Sequence, residues 1–345
     1  MNFKAAVLEK LGENLVIKDI QVPKLELGQV LVKIRYSGGC RSQLMEIQGS
    51  RGVDQYLPHL LGHEGVGTVL EIGQGVSKVK IGDQVIVSWI KGLGISSNNP
   101  VFTDANNVKI NAGASTTFSE ISIVSENRVF LKPNNLDDEV AVLFGCALLT
   151  GAGMVFNELT PLRNDSILVL GLGGVGLSVL IAALAIEPQI IIAADTSKIK
   201  RNLARDLGVQ HVFDPGDSNF TQKVMDISGG GVAKGYEAAG KVETIEKVFS
   251  CLKMSGGQLI FASHPEINSK LSLDPFEFLK GKSIRGSWGG STNPDTDIPK
   301  FSNLLKNNSM NLNKIIGNHY PLIDINTALN NLKIGNEIRP IISME

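Results

Sequence analysis

The stretch "SILVLGLGGVGLS", residues 166–178, decides the fold. A short uncharged run ends at Leu170, and glycines follow at 171, 173, 174 and 176. Gly171, Gly173 and Gly176 make a G-x-G-x-x-G pattern between a strand-like and a helix-like run, the context in which that pattern binds a dinucleotide. The first glycine permits the tight turn, the second lets backbone approach a pyrophosphate, and the third lets helix and strand pack closely. Gly174 and Val175 then open the helix, where free N–H groups face a phosphate. The next apolar run ends "IIIAAD", which places Asp195 nineteen residues past Gly176. A carboxylate there binds ribose hydroxyls and repels a 2′-phosphate, favouring NAD over NADP. The plainer reading is a packing turn followed by an Asp that caps a helix. Lys200 is a further candidate for the ribose, or simply a solvated helix lysine.

The same stretch has a rival reading. Residues 167–186 carry no charge, and length alone would allow a membrane span. The glycines at its centre argue instead for a buried strand, a turn and a buried helix.

Outward from this motif, strands and helices alternate. "IIIAAD", "HVFDP", "GYEAAG" and "GQLIFAS" read as strands, and "SKIKRNLARDLG", "FTQKVMDIS" and "VETIEKVFSCLKMSG" as helices. That rhythm predicts an α/β doubly wound parallel sheet. The first 135 residues differ. "KAAVLE", "LVIKDIQV", "VLVKIRYSG", "GTVLEIG", "DQVIVSW" and "SEISIVSENRVFLKP" predict a β-rich domain. Residues 90–118 read as a polar loop, and 137–158 as one helix with an acidic start. The last fifty residues break the rhythm and read as a return to the first domain.

Length and composition agree. The 345 residues exceed one ordinary core, so two domains are expected. With 33 basic and 34 acidic residues and no basic stripe, nucleic acid is not an expected partner. Three cysteines, an odd number with no C-x-x-C, point away from a disulfide framework and towards a reducing, cytoplasmic setting. No signal peptide is visible in "MNFKAAVLEKLGENL".

A second motif lies in the β-rich region. "LPHLLGHEGVGTVLEIG", 57–73, sets His63 and Glu64 among glycines. An H-E-x-x-H zinc motif fails, because position 67 is Gly. Read by itself, His63 is equally a buried structural histidine. Cys40 in "YSGGCRSQL" and Cys146 in "LFGCALLTG" each follow glycine at an element boundary, whereas Cys251 reads as core. Two cysteines and one histidine with an open fourth position would make a catalytic zinc set. Unrelated buried side chains are the alternative.

Six segments, "GGCRSQ" (38–43), "LGHEGVGTV" (61–69), "IGDQV" (81–85), "GCALLTGAG" (145–153), "GLGGVG" (171–176) and "NEIRPII" (336–342), occur in that order. Together they resemble the zinc-containing medium-chain alcohol dehydrogenase family over essentially the whole chain. The resemblance implies a GroES-like catalytic domain at 1–146, a Rossmann NAD-binding domain at 147–292 and a return to the first at 293–345. It implies one catalytic zinc held by Cys40, His63 and Cys146, with Glu64 behind the metal and able to approach it. It implies that Ser42 relays the alcohol proton, that Arg41 and Arg339 contact pyrophosphate, and that Thr150 contacts nicotinamide. The implied reaction interconverts an alcohol and its aldehyde or ketone with NAD. The implied assembly is a homodimer or homotetramer, with "SIRGSWGG" pairing sheets, and no membrane partner.

Three departures stand out. Where the family usually has Asp three residues after the first cysteine, this chain has Gln43, whose carbonyl would accept the imidazole N–H without charge. Where some members carry a relay histidine it has Met45. The four-cysteine structural zinc lobe is missing, since residues 90–118 contain no cysteine. Two rival functions remain on sequence: a zinc-free quinone or enoyl reductase of the same superfamily, and a non-catalytic dinucleotide-binding protein.

Overall fold

The structure, a computed structural model, describes residues 1–308 and 310–344. The chain divides into two compact units. One comprises Met1–Cys146, Asn293–Ser302 and Ile316–Glu345, and the other Ala147–Thr292 and Asn303–Ile315.

The first unit is built from strands β1 (Asn2–Leu8), β2 (Val16–Gln21), β3 (Gln29–Gly38), β4 (His59–Leu60), β5 (Glu64–Ile72), β6 (Gln84–Ser88), β7 (Val101–Asp104), β8 (Lys109–Asn111), β9 (Ile121–Ser125) and β10 (Val129–Leu131). Among the described residues, β1, β2, β7, β8 and β4 close into a barrel. β10, β6, β5 and β3 continue in one sheet, with β9 also on β3. β3 serves two cores because its side chains alternate across the sheet. Leu31 joins Phe3, Ile20 and Phe102 in the barrel interior. Val30, Val32 and Ile34 pack instead with Val69, Val85 and Val87. The polar stretch 90–118 therefore is not all loop: β7 and β8 lie within it, each burying one apolar residue, Phe102 and Ile110.

One point of that stretch, Ile95, is held by a carboxylate that also fastens residues 77 and 78. Glu126, 2% exposed, accepts N–H groups from Ser77 (2.6 Å), Lys78 (2.8 Å) and Ile95 (2.8 Å). Burial pushes its pKa up, but the backbone donors outweigh this and hold it below the ordinary carboxylate value.

Helix α1 (Arg41–Ile47) follows β3, and α2 (Asp138–Leu143) closes the first pass through this unit. The single helix expected over 137–158 is broken. α2 stops at Leu143, α3 (Ala147–Gly153) starts the second unit, and a π-helical turn follows at Met154–Leu159. At the break the Gly145 carbonyl accepts the Ser88 hydroxyl at 2.6 Å, beyond what helix spacing alone would predict.

In the second unit β11 (Ser166–Leu170), α4 (Gly174–Leu184), β12 (Ile190–Ala194), α5 (Lys198–Asp206), β13 (His211–Phe213), α6 (Phe220–Ser228), β14 (Lys234–Glu237), α7 (Val242–Ser250), β15 (Gln258–Phe261), α8 (Pro275–Leu279) and β16 (Ser283–Gly286) follow. The strands lie in the order β13-β12-β11-β14-β15-β16, all parallel. The order reverses between β11 and β14, the place where a crevice opens at the strand ends of a doubly wound sheet. The uncharged run 167–186 is β11, a glycine turn and α4; no helix among the described residues is long and apolar enough to cross a membrane.

After α9 (Pro294–Asn307), strand β17 (His319–Pro321), helix α10 (Ile325–Ile334) and strand β18 (Ile341–Ser343) complete the chain's return to the first unit. β18 pairs antiparallel with the end of β3, Ile341 opposite Gly38.

Candidate metal centre and dinucleotide turn

Strand register brings the three metal candidates together. Ser37 near the end of β3 pairs with Gly65 at the start of β5, and Glu64 pairs with Ser88 at the end of β6. Cys40 lies just past β3 and His63 just before β5. Ser88 holds the carbonyl of Gly145, which delivers Cys146. One ligand atom from each of Cys40, His63 and Cys146 lies within 4.8 Å of the others.

The donor set suits zinc: two thiols and an imidazole, with the spacing of ligands around one ion. The two thiols share the site unequally. The Cys40 thiol is lowered well below its usual pKa, first by a hydrogen bond with Cys146, against the opposing effect of burial, and by the charge of Arg339. The Cys146 thiol is pushed up by that same hydrogen bond and by burial. The site already favours one thiolate, and a divalent cation would favour two.

Glu64 lies outside the group of three. It is fully buried, and its Oε1 accepts from Arg339 Nε at 2.5 Å. Burial pushes the carboxyl up and Arg339 only partly offsets this. Arg339, expected at pyrophosphate, is 2% exposed with its guanidinium on Glu64. Arg41 opens α1 and is exposed. Ser42 Oγ is buried with no hydrogen-bond partner, beside Cys40 in sequence. Met45 is half-buried on the same helix. The carbonyl of Gln43 is not on the imidazole: Oε1 accepts from Cys40 N at 3.0 Å, and Nε2 faces His63 Nδ1.

The second unit holds the dinucleotide candidates. Gly171 has φ +92°, and a Cβ there would meet Ala239 N at 2.4 Å. At Gly176 a Cβ would lie 1.7 Å from the Gly171 carbonyl oxygen, so only glycine lets α4 approach the turn. At Gly173 a Cβ would meet nothing within 4 Å, which leaves open space above the backbone where a phosphate is expected. Gly174 and Val175 supply the first-turn N–H groups of the eleven-residue α4. Asp195 stands at the end of β12, where Oδ2 accepts from Leu172 N (2.7 Å) and Oδ1 from Ser197 N (2.8 Å). It therefore braces the glycine turn, and each oxygen keeps a lone pair for a ribose hydroxyl. Lys200 is half-buried on α5. Thr150 on α3 is buried, and its Oγ1 has no hydrogen-bond partner.

Two family models match in the expected order: an alcohol dehydrogenase GroES-like domain over residues 26–134 and a zinc-binding dehydrogenase domain over 174–307. The chain belongs to the zinc-type medium-chain alcohol dehydrogenase family. Among relatives of this dehydrogenase, the S-(hydroxymethyl)glutathione dehydrogenase of Synechocystis is 28% identical, covering 99% of this chain and 100% of that one. Alcohol dehydrogenase 6 of Peromyscus maniculatus is 29% identical, covering 98% and 97%. Of solved structures, benzyl alcohol dehydrogenase from Acinetobacter calcoaceticus superposes with a TM-score of 0.91 at 26% identity, covering all of both chains.

In this dehydrogenase two further residues pack closely against Glu64. A Cβ on Gly38 would lie 2.0 Å from Glu64 Oε1, and one on Gly145 would lie 2.5 Å from Glu64 Cβ. Gly38 in "GGC" makes room for the buried carboxylate, and Gly145 in "FGC" for the base of the same side chain. Their position just before each cysteine was the available signal.

Proposed function

We propose that this chain is a zinc- and NAD-dependent alcohol dehydrogenase that interconverts a small alcohol and its aldehyde or ketone. The convergence of Cys40, His63 and Cys146 is the observation that carries the reading. Those three residues would hold one catalytic zinc per chain. The loop that lacks cysteines would need no second ion, because Glu126 already holds it at the Ile95 N–H.

When bound, zinc supplies a Lewis acid for an alcohol oxygen and NAD supplies the hydride acceptor. The chain's own part is positional and electrostatic. Ser42 Oγ accepts the proton of the substrate hydroxyl; it is buried and uncommitted, as a relay group needs to be. Met45 offers no onward proton acceptor, so the proton passes from Ser42 to water. Glu64 and Arg339 form a paired charge behind the ligands, and Glu64 is free to approach the metal only if that pair loosens. Gly173, Gly174, Val175 and the rest of the turn would hold the pyrophosphate. Asp195 and Lys200 would hold the ribose, and Thr150 Oγ1 the nicotinamide. Asp195→Gly is expected to shift the NADP-to-NAD preference ratio upward, and an unchanged ratio would remove Asp195 from the ribose.

A second copy is proposed on β16. This strand pairs only with β15 among the described residues, and the neighbouring Phe276 and Leu279 are exposed. Three free cysteines fit a cytoplasmic setting.

The test is metal analysis with an alcohol and aldehyde screen. The expected result is one zinc per chain and NADH formation from alcohols. Quinone reduction in protein without zinc would replace this reading with the zinc-free reductase. Zinc and NAD both bound, with no alcohol oxidised, would make the chain a non-catalytic binder.

A further inference from the structure

Gln43 touches two of the three metal candidates at once. It is the third residue of α1, and Cys40 is the residue that caps that helix. Its Oε1 takes the Cys40 N–H, the backbone half of a capping box. Its Nε2 lies on His63 Nδ1. The side chain is 1% exposed, so water cannot substitute for either partner.

A primary amide has one accepting end and one donating end. With Oε1 committed to Cys40, Nε2–H donates to His63 Nδ1. A neutral imidazole that accepts at Nδ1 carries its proton on Nε2. Nε2 is the nitrogen left to face the two thiols, and it must offer a lone pair to bind a metal. A metal-ligating histidine instead donates its other N–H to an acceptor. The observed arrangement therefore suits the metal-free ring. Turning the amide over would place Oε1 on Nδ1–H, but would set NH2 against the Cys40 N–H, donor to donor.

We propose that Gln43 is a positioning residue that can satisfy either the Cys40 backbone or the metal-bound form of His63, but not both, so that metal loading requires its amide to turn over. This rests on the reading of Cys40, His63 and Cys146 as zinc ligands. A carboxylate at position 43 has two accepting oxygens and would serve both partners in one pose. The site as built thus sacrifices metal affinity, and restoring the second acceptor should recover it.

The experiment uses the full chain. Zinc affinity is measured by chelator competition for the wild type, Gln43→Glu and Gln43→Ala. In parallel, ¹⁵N spectra of the histidine rings are recorded without and with zinc at about pH 8.5, above the usual imidazole range. The His63 signal is assigned by its loss in His63→Gln. Without zinc, the His63 proton is expected on Nε2 in the wild type and on Nδ1 in Gln43→Glu. With zinc it is expected on Nδ1 in both. Gln43→Glu should bind zinc on the order of tenfold more tightly, the lower end of the usual effect of such outer partners. Gln43→Ala should bind no more tightly than the wild type. A wild-type ring already protonated on Nδ1 without metal would overturn the proposal, and so would equal zinc affinity in Gln43→Glu. Failure of the wild type to bind zinc at all would remove the metal reading and this inference with it. If Gln43→Glu does not fold, the wild-type spectra alone decide.

Discussion

The candidate metal centre and the glycine turn are built in opposite ways. The first gathers side chains from positions 40, 63 and 146, and its quality depends on which atom stands at the tip of each. The second is thirteen consecutive residues whose backbone does the work, and its quality depends on side chains that are missing. One is broken by exchanging an atom, the other by adding one.

The largest expected effect follows from exchanging an atom. Cys146→Ser should lose zinc and alcohol turnover together while NAD affinity stays at the wild-type level, checked by metal analysis and NADH fluorescence titration. Wild-type turnover in that variant would remove Cys146 from the ligand set. Adding an atom at the tightest point of the turn should come next. Gly176→Ala places a methyl 1.7 Å from a carbonyl oxygen and is expected to destabilise the chain by about 3 kcal/mol. Denaturant unfolding measures this.

Glu126 sharpens the contrast, because it is a polar cluster already complete within the chain. Glu126→Gln should cost about 2 kcal/mol and leave zinc content unchanged. The sign of its pH dependence is fixed by a lowered pKa. Its contribution is fully present above the ordinary carboxylate value of about 4.3 and is lost as pH falls through the lower folded value. Acid unfolding should therefore be shallower in Glu126→Gln than in the wild type. The smallest effect on stability belongs to Gly173→Ala. Its methyl meets nothing, so the melting temperature should hold, while dinucleotide affinity falls about tenfold if that space takes a phosphate. Unchanged affinity would place the pyrophosphate elsewhere.

The same contrast explains what could be read from sequence. The turn was legible because its residues are contiguous, and each glycine has a steric reason to be there. The parallel sheet was legible because uncharged strands alternate with amphipathic helices. The metal candidates were legible as residue types, but their convergence depends on the pairing of β3 with β5 and of β5 with β6. The helix over 137–158 was misread as continuous because the hydroxyl that takes the Gly145 carbonyl comes from Ser88, 57 residues earlier. β7 and β8 were missed because each buries a single apolar residue and gives almost no periodic signal. The polarity of the Gln43 amide is set by two partners and has no trace in the sequence.

The Glu64–Arg339 pair also orders events during synthesis. The partners are 275 residues apart. All three metal candidates and Glu64 have been made once Cys146 leaves the ribosome. The cation that neutralises Glu64 arrives only after the whole second unit has followed. A nascent chain that packed its first unit early would bury the Glu64 carboxylate before Arg339 is there to offset its charge, at a cost of several kcal/mol. The first unit therefore has a reason to stay loose until its last strand is delivered.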